Sequence, residues 1–255
     1  MSRKKKAKIV KPLPPKLEEV CAHIPDSIKD VKLARAINGL PYKEVTVARF
    51  CELMADEQKN RKEIAQFVYD RFHQRYLLPF EILEREAPKG KSGFAQMAVC
   101  CLMIEAMESF RNGWNDTMDD AKDEKCEKIP GRKIFCNFFS HFDDLKEFQE
   151  IGSEFYRSIR CGILHQAESQ NGWRIVRTKG VPLLNVDNRT INPTIFRRRM
   201  KKALQAYCDE LKSGNETVWE QFKTKMAYII LNCKLEPIEK DASAFPLVAK
   251  EVITL

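Results

Sequence analysis

Two side chains near residue 160 have the types and the spacing to move a proton beside a phosphate. The stretch Phe155-Tyr-Arg-Ser-Ile-Arg160-Cys-Gly-Ile-Leu-His165 holds an arginine and a histidine separated by four residues. Histidine exchanges a proton near neutral pH, and a guanidinium holds a phosphate through two hydrogen bonds at once. The pair therefore predicts metal-independent chemistry at an RNA phosphate, with Arg160 binding the phosphate and His165 acting as general base or acid.

The helix that carries this pair sets a condition on the chemistry. A helix is predicted from about 142 to 167, with one apolar face formed by Phe148, Ile151, Phe155, Ile159 and Gly162. On a straight α-helix Arg160 and His165 lie about 140° apart, so they do not stack as neighbours one turn apart would. Either the helix unwinds just beyond Gly162, or a second copy of the chain packs its matching helix across the first. The second arrangement, a homodimer with two Arg–His sets in one cleft, is the preferred prediction.

An acidic residue from another helix is predicted to complete the site. Glu105 stands out in the otherwise uncharged run from 94 to 107. Its carboxylate is predicted to orient His165 or Arg160, and the alternative is a half-buried structural ion pair. A structural alternative also exists for the motif itself, with Arg160 in a surface ion pair and His165 as a cation at a helix C-terminus.

Four further residues are predicted to bind substrate. Arg157 extends the positive face one turn before Arg160, while Arg174 and Arg177 follow the motif closely in sequence. Cys161 lies four residues before His165 on the same helix face, a spacing that also suits two metal ligands or a thiol–imidazole pair. No third ligand is evident, so neither a metal nor a cofactor is predicted. The basic cluster at 197–202 is a weaker candidate for contact with an RNA backbone.

The chain as a whole is predicted to be all-α, a helical bundle with a small β-hairpin inserted between two helices. We expect a disordered basic tail over 1–16, a helical region over 17–90, a core over 91–235 and an extension over 236–255. The hairpin is expected at about 172–187, where two β-like runs flank Lys179-Gly180. Thr46, Pro193 and Asn215 mark helix starts, and Pro79 is expected to bend or interrupt a helix.

Composition indicates the class of protein. The formal charge of +8 includes seven basic residues and no acid within 1–16, so the rest of the chain is nearly neutral. The nine cysteines show no Cys-x-x-Cys spacing and are expected to be reduced thiols. No export signal is evident, and the longest apolar run is too short to span a bilayer. We therefore expect a soluble, cytoplasmic protein without a membrane partner.

The motif resembles a known family. Arg160-Cys-Gly-Ile-Leu-His165, late in a helix of an all-α bundle, is similar to the Arg-x(4 to 6)-His signature of the HEPN superfamily. Phe155-Tyr156 and Gly172-Trp-Arg-Ile175 fit defence-associated or stand-alone members, and the resemblance covers about residues 90–232. It implies a dimeric endoribonuclease of a toxin–antitoxin or antiviral system, with an antitoxin or regulatory protein as partner. The alternative is a catalytically silent module that binds a protein or ligand, as some members of the family are, since the residue after the arginine is commonly polar and is Cys161 here.

Overall fold

The molecule is mostly helical with small β elements, as the sequence predicts. A computed structural model describes residues 13–87, 90–117, 121–122 and 127–234. The predicted tail at 1–16 lies outside the described residues except for 13–16, and the extension at 236–255 lies wholly outside them. Most buried apolar side chains form one core that runs from Leu17 to Ile230, and Trp114, Ala121 and Ile134 form a small second cluster.

The first part of the chain wraps short elements around a long helix. Its elements are α1 (Leu17–Ala22), α2 (Asp26–Lys29), β1 (Lys32–Ala34), β2 (Val45–Thr46), α3 (Val47–Ala55), α4 (Glu57–Phe72), a π-helical segment (His73–Leu77) and α5 (Leu78–Glu86). Strands β1 and β2 pair antiparallel. The Thr46 side chain accepts a hydrogen bond from the Arg49 amide and caps α3, as predicted. The π segment ends one residue before α5 reaches Pro79, so the α-helical bonding is interrupted near the proline while the chain stays helical through it.

The central helix is α6 (Gly93–Asn112), which ends at Gly113 in the left-handed conformation. By length and composition α6 could cross a membrane, a possibility that the short apolar runs of the sequence do not suggest. In the most apolar 18-residue stretch of this helix, 56% is buried inside the protein. Such burial is typical of the core helix of a soluble protein.

The remaining elements pack around α6. They are α7 (Gly131–His141), a 3₁₀ segment (Asp143–Phe148), α8 (Gly152–Phe155), a second π-helical segment (Tyr156–Cys161), α9 (Gly162–Gln166), β3 (Arg174–Ile175), β4 (Leu184–Asn185), β5 (Thr190–Ile191), α10 (Pro193–Lys212) and α11 (Glu216–Leu231). Helices α10 and α11 both pack on α6. The predicted starts at Pro193 and Asn215 are confirmed, and Asn215 caps α11 by accepting from the Val218 amide.

Two predictions about regular structure are wrong. The single helix expected at about 142–167 is interrupted by a turn at 149–151, which follows the 3₁₀ segment, and the uninterrupted part from 152 to 166 changes from α to π hydrogen bonding and back. The expected hairpin at 172–187 does not form, since β3 and β4 do not pair with each other. Each pairs with β5, which lies between them, parallel to β3 and antiparallel to β4. The tight turn therefore lies between β4 and β5.

The expectation that all cysteines are reduced is also wrong. Cys21 of α1 and Cys51 of α3 form a disulfide, with their Cα atoms 5.3 Å apart. This bond joins the first helix to the core. Of the other cysteines that the structure describes, six have free thiols.

Candidate functional site at Arg160 and His165

The structure brings the two predicted catalytic side chains together within one chain. Arg160 Nη1 lies 3.2 Å from His165 Nε2. The residues from Tyr156 to Cys161 form a π-helix, in which hydrogen bonds join residues five apart, so the motif does not lie on the single straight α-helix that the prediction assumes. Neither unwinding just beyond Gly162 nor a second chain is required for the contact, because α9 continues to Gln166.

A sharp return of the chain fixes the position of His165. Ala167 ends α9 in the left-handed conformation, with φ of 56°, and its amide donates to the Gly162 carbonyl. The Gln170 amide donates to the Ser158 carbonyl over 2.9 Å, which holds the returning segment on the helix. Gly162 permits this approach, because a Cβ atom there would lie 2.5 Å from the Glu168 carbonyl oxygen. The glycine within the motif is therefore a steric requirement of the turn that follows His165.

Glu105 orients the arginine from α6. Arg160 Nε donates to Glu105 Oε1 over 2.8 Å, and the two side chains are only 19% and 18% exposed. Burial alone lowers the pKa of Arg160, but the hydrogen bond and charge of Glu105 outweigh it and raise that pKa. The guanidinium is thus a fixed cation, and its edge beyond Nε faces His165.

The direction of the Arg160–His165 hydrogen bond determines which nitrogen of the His165 imidazole lacks a proton. A guanidinium only donates hydrogen bonds, so His165 Nε2 accepts and carries no proton in this arrangement. His165 is exposed, whereas Arg160 is partly buried. An exposed neutral imidazole beside a fixed cation can take a proton from a hydroxyl group whose phosphate binds the cation.

Sequence reasoning assigns no role to Tyr156. The Arg160 Cζ atom lies 5.6 Å from the centre of the Tyr156 ring, within range of a cation–π interaction. Burial raises the pKa of Tyr156, and the neighbouring Cys161 adds to this shift. Cys161 therefore lies beside both Tyr156 and Arg160, as its assignment to the site requires. The four-residue spacing of Tyr156 and Arg160 is the sequence signal that could have identified the tyrosine.

The three other predicted substrate-binding arginines lie in different places. Arg157 is exposed and lines a cleft of about 920 Å³ that also touches Tyr156. Arg174 donates to the Asn188 carbonyl over 3.2 Å, next to the β-sheet. Arg177 donates to Thr194 Oγ1 and to the Gly90 carbonyl, which belong to the start of α10 and to the loop before α6. Only Arg157 thus adjoins the pair through a shared neighbour.

The basic cluster at 197–202 is not an open positive surface. Arg197 is 2% exposed and pairs with Glu84 and Glu81 of α5. The other members also pair with carboxylates: Arg198 with Glu84, Lys201 with Glu81, and Arg199 and Lys202 with Asp144. The predicted contact with an RNA backbone therefore competes with an ion-pair network that fastens α10 to its neighbours.

Within the described ranges, no group of three or more His, Cys, Asp or Glu side chains is placed to hold a metal ion. Comparison of the chain with protein-family models, with curated proteins and with solved structures finds no match.

Proposed function

We propose that this chain is a HEPN-like endoribonuclease that cleaves RNA without a metal ion. The observation that supports the proposal is the contact between Arg160 and His165, with Glu105 holding the arginine from behind. RNA supplies its own nucleophile, the 2′-hydroxyl, so the protein has only to position a phosphate, move protons and stabilise charge. These three side chains offer those functions.

The reaction follows from their positions. The scissile phosphate binds Arg160 and replaces His165 as the acceptor of its Nη1 hydrogen, which frees His165 Nε2. His165 then takes the proton of the 2′-hydroxyl while that oxygen bonds to phosphorus. The bond from phosphorus to the 5′-oxygen breaks, and the leaving oxygen receives a proton, which the imidazolium can return. Arg160 stabilises the extra negative charge of the transition state. The products are a 2′,3′-cyclic phosphate and a 5′-hydroxyl.

The test is cleavage of labelled RNA in EDTA by the wild type, Arg160→Ala and His165→Ala. We expect the wild type alone to cut, leaving 2′,3′-cyclic phosphate ends, with losses of at least about 10²-fold for His165→Ala. Arg85→Ala is the matched control, because Arg85 is 73% exposed and pairs only with Glu86. An oligonucleotide of the same sequence with 2′-deoxy sugars should resist cleavage, because it lacks the 2′-hydroxyl nucleophile. Cutting by both motif variants at the wild-type rate would exclude the site.

Glu105→Gln tests the orienting role. Glutamine retains an oxygen for Arg160 Nε but lacks the charge, so we expect a smaller loss of cleavage than Arg160→Ala causes. If Glu105 is only a structural ion pair, its substitution should lower the melting temperature without lowering the rate of cleavage by the remaining folded protein.

A second candidate is a catalytically silent module of the same family that binds a protein or ligand. The supporting observation is that Glu105 and His165 already engage the Arg160 guanidinium, and that Cys161 stands where a polar residue is common. Intact RNA after incubation with the wild type would favour this candidate.

The biological setting is part of the proposal. A toxin or defence role predicts that expression slows cell growth and that His165→Ala relieves this effect. A homodimer and an antitoxin or regulatory partner are expected in that setting, and sedimentation of the purified chain would test the dimer.

A further inference from the structure

The cleft next to Tyr156 carries positive charge that no ion pair with a described residue neutralises. Its walls include three arginines from separate elements: Arg132 of α7, Arg157 of the second π segment and Arg189 of the turn between β4 and β5. Glu154 is the one carboxylate in the lining, and it accepts a hydrogen bond from the Trp173 indole over 2.9 Å. The cleft therefore holds a surplus of cationic groups.

These arginines differ from those of the cluster at 197–202. Arg132 and Arg157 are exposed and form no ion pair with any described residue. The Arg189 side chain donates to the Asn171 main-chain carbonyl, an uncharged group, and forms no ion pair with a described residue. Guanidinium groups that lack a carboxylate ion-pair partner and face one concave space are typical of phosphate-binding sites.

The backbone around the cleft is held in uncommon conformations. Among the described residues, Ala167, Asn171 and Arg189 are the non-glycine residues with positive φ, and two of these line the cleft. Such conformations are unfavourable for an arginine and occur preferentially at binding sites. The φ of 48° at Arg189 places a side chain from the β4–β5 turn beside Asn171.

Tyr156 connects this cleft to the candidate active site. Its hydroxyl is so close to Gly131 that a Cβ atom there would lie 2.5 Å from it. The same ring lies 5.6 Å from the Arg160 Cζ atom. One wall of the cleft is thus shared with the site, and a strand whose phosphate binds Arg160 can continue over Tyr156 into the cleft.

We propose that the cleft of Arg132, Arg157 and Arg189 binds the phosphates of single-stranded RNA that flank the scissile bond. This inference rests on the proposed ribonuclease function and extends it to a binding track next to the reacting phosphate. The cleft volume of about 920 Å³ accommodates more than one nucleotide, and the aromatic wall offers a surface for a base.

The experiment measures binding separately from cleavage. The full chain is titrated with a fluorescent single-stranded RNA whose sugars are all 2′-O-methylated, so that it cannot be cut. We compare the wild type with Arg132→Ala/Arg157→Ala and with the control Arg35→Ala/Arg85→Ala, which removes the same charge from exposed arginines outside the cleft. Binding is measured at several salt concentrations, and melting temperatures verify that each variant is folded.

We expect the cleft variant to bind at least tenfold more weakly and the control to change less than twofold. The dependence of log affinity on log salt should become shallower by about 0.7 for each phosphate that the protein no longer neutralises, or about 1.4 for the double variant. Equal weakening in both variants would show non-specific charge attraction and overturn the inference. Unchanged binding in the cleft variant would also overturn it.

Two further arms separate this inference from the ribonuclease proposal and from another ligand. If no RNA is cut by any variant but the cleft variant alone binds RNA weakly, the cleft is supported and the ribonuclease proposal fails. If the wild type cuts RNA and the cleft variant cuts and binds equally well, only the cleft fails. The second arm is competition with ADP and with inorganic phosphate. If micromolar ADP displaces the oligonucleotide, the cleft binds small nucleotides and the proposal is overturned.

Discussion

Replacing Gly162 with alanine should disturb the turn that holds His165. An alanine Cβ would lie 2.5 Å from the Glu168 carbonyl oxygen, whereas ordinary contacts begin at 3.4 Å. The clashing atom is a main-chain oxygen, which cannot rotate away as the end of a flexible side chain can. The backbone at Glu168 must therefore move by about 0.9 Å. Displacements of this size near reacting groups lower rates by as much as about 10²-fold.

The effect on stability is the difference between two opposed contributions. Alanine in a helix is favoured over glycine by about 1 kcal/mol, whereas overpacking destabilises by about 1–3 kcal/mol. We expect a net loss of about 1 kcal/mol and a fall of about 3 °C in melting temperature for a chain of this size. His165 should respond more strongly, with about 10- to 100-fold slower RNA cleavage and a shifted imidazole signal in NMR spectra.

Gly93→Ala provides the comparison. Gly93 is also helical, but its Cβ would meet side-chain atoms, Ile175 Cγ2 at 3.2 Å and Pro193 Cγ at 3.3 Å, which can yield by a few tenths of an ångström. We expect this variant to keep the wild-type melting temperature and His165 signal. If Gly162→Ala instead behaves like Gly93→Ala in melting, NMR spectrum and cleavage, then Gly162 does not fix the turn after His165.

Three further predictions concern stability. Arg111→Met leaves the buried Glu108, which is 1% exposed, without its ion-pair partner. We expect urea denaturation to show that the free energy of unfolding falls by about 3–5 kcal/mol. The double variant Glu108→Leu/Arg111→Met should recover most of this loss, because it removes the unpaired charge. Burial lowers the pKa of His73 despite the opposing effect of Glu81, so protonation of His73 favours the unfolded chain. The stability of the wild type should therefore fall as the pH drops below about 6.5. Melting curves of His73→Gln between pH 5 and 8 should lack this His73-dependent loss. Reduction of Cys21–Cys51, which spans 30 residues, should reduce the free energy of unfolding by up to about 3–4 kcal/mol, and an unchanged melting curve in dithiothreitol would contradict this estimate.

Features encoded by neighbouring residues can be predicted from the sequence. The starts of α3 and α11 follow from Thr46 and Asn215, because a cap acts on amides within three residues of itself. The start of α10 follows from Pro193, whose fixed φ suits the first helical position. Glu105 stands out as the lone charge in an apolar run, and a charge in such a place needs a partner. The structure supplies Arg160 as that partner, although its role in a reaction stays a prediction.

Features that depend on distant partners cannot be predicted in this way. Glu81, Glu84 and Asp144 neutralise a cluster that lies more than fifty residues further along the chain, and no local pattern indicates the pairing. Strand β5 has only two residues, too few to show an alternating pattern. The sequence therefore predicts that the two β-like runs before β5 pair with each other, whereas both pair with β5. The cleft combines residues 132, 157 and 189, which only the fold brings to one space.

The π-helical segment from Tyr156 to Cys161 makes the site depend on the kind of helix that the chain forms there. In α-helical bonding, which joins residues four apart, the same six residues would turn the chain through about 100° more. Arg160 and His165, which lie at and beyond the end of the segment, would then turn away from Glu105 of α6, although every residue type of the motif was kept. The identity of the motif residues is therefore insufficient to define this site, because their angular register along the helix is a separate requirement that a comparison of residue types alone does not detect.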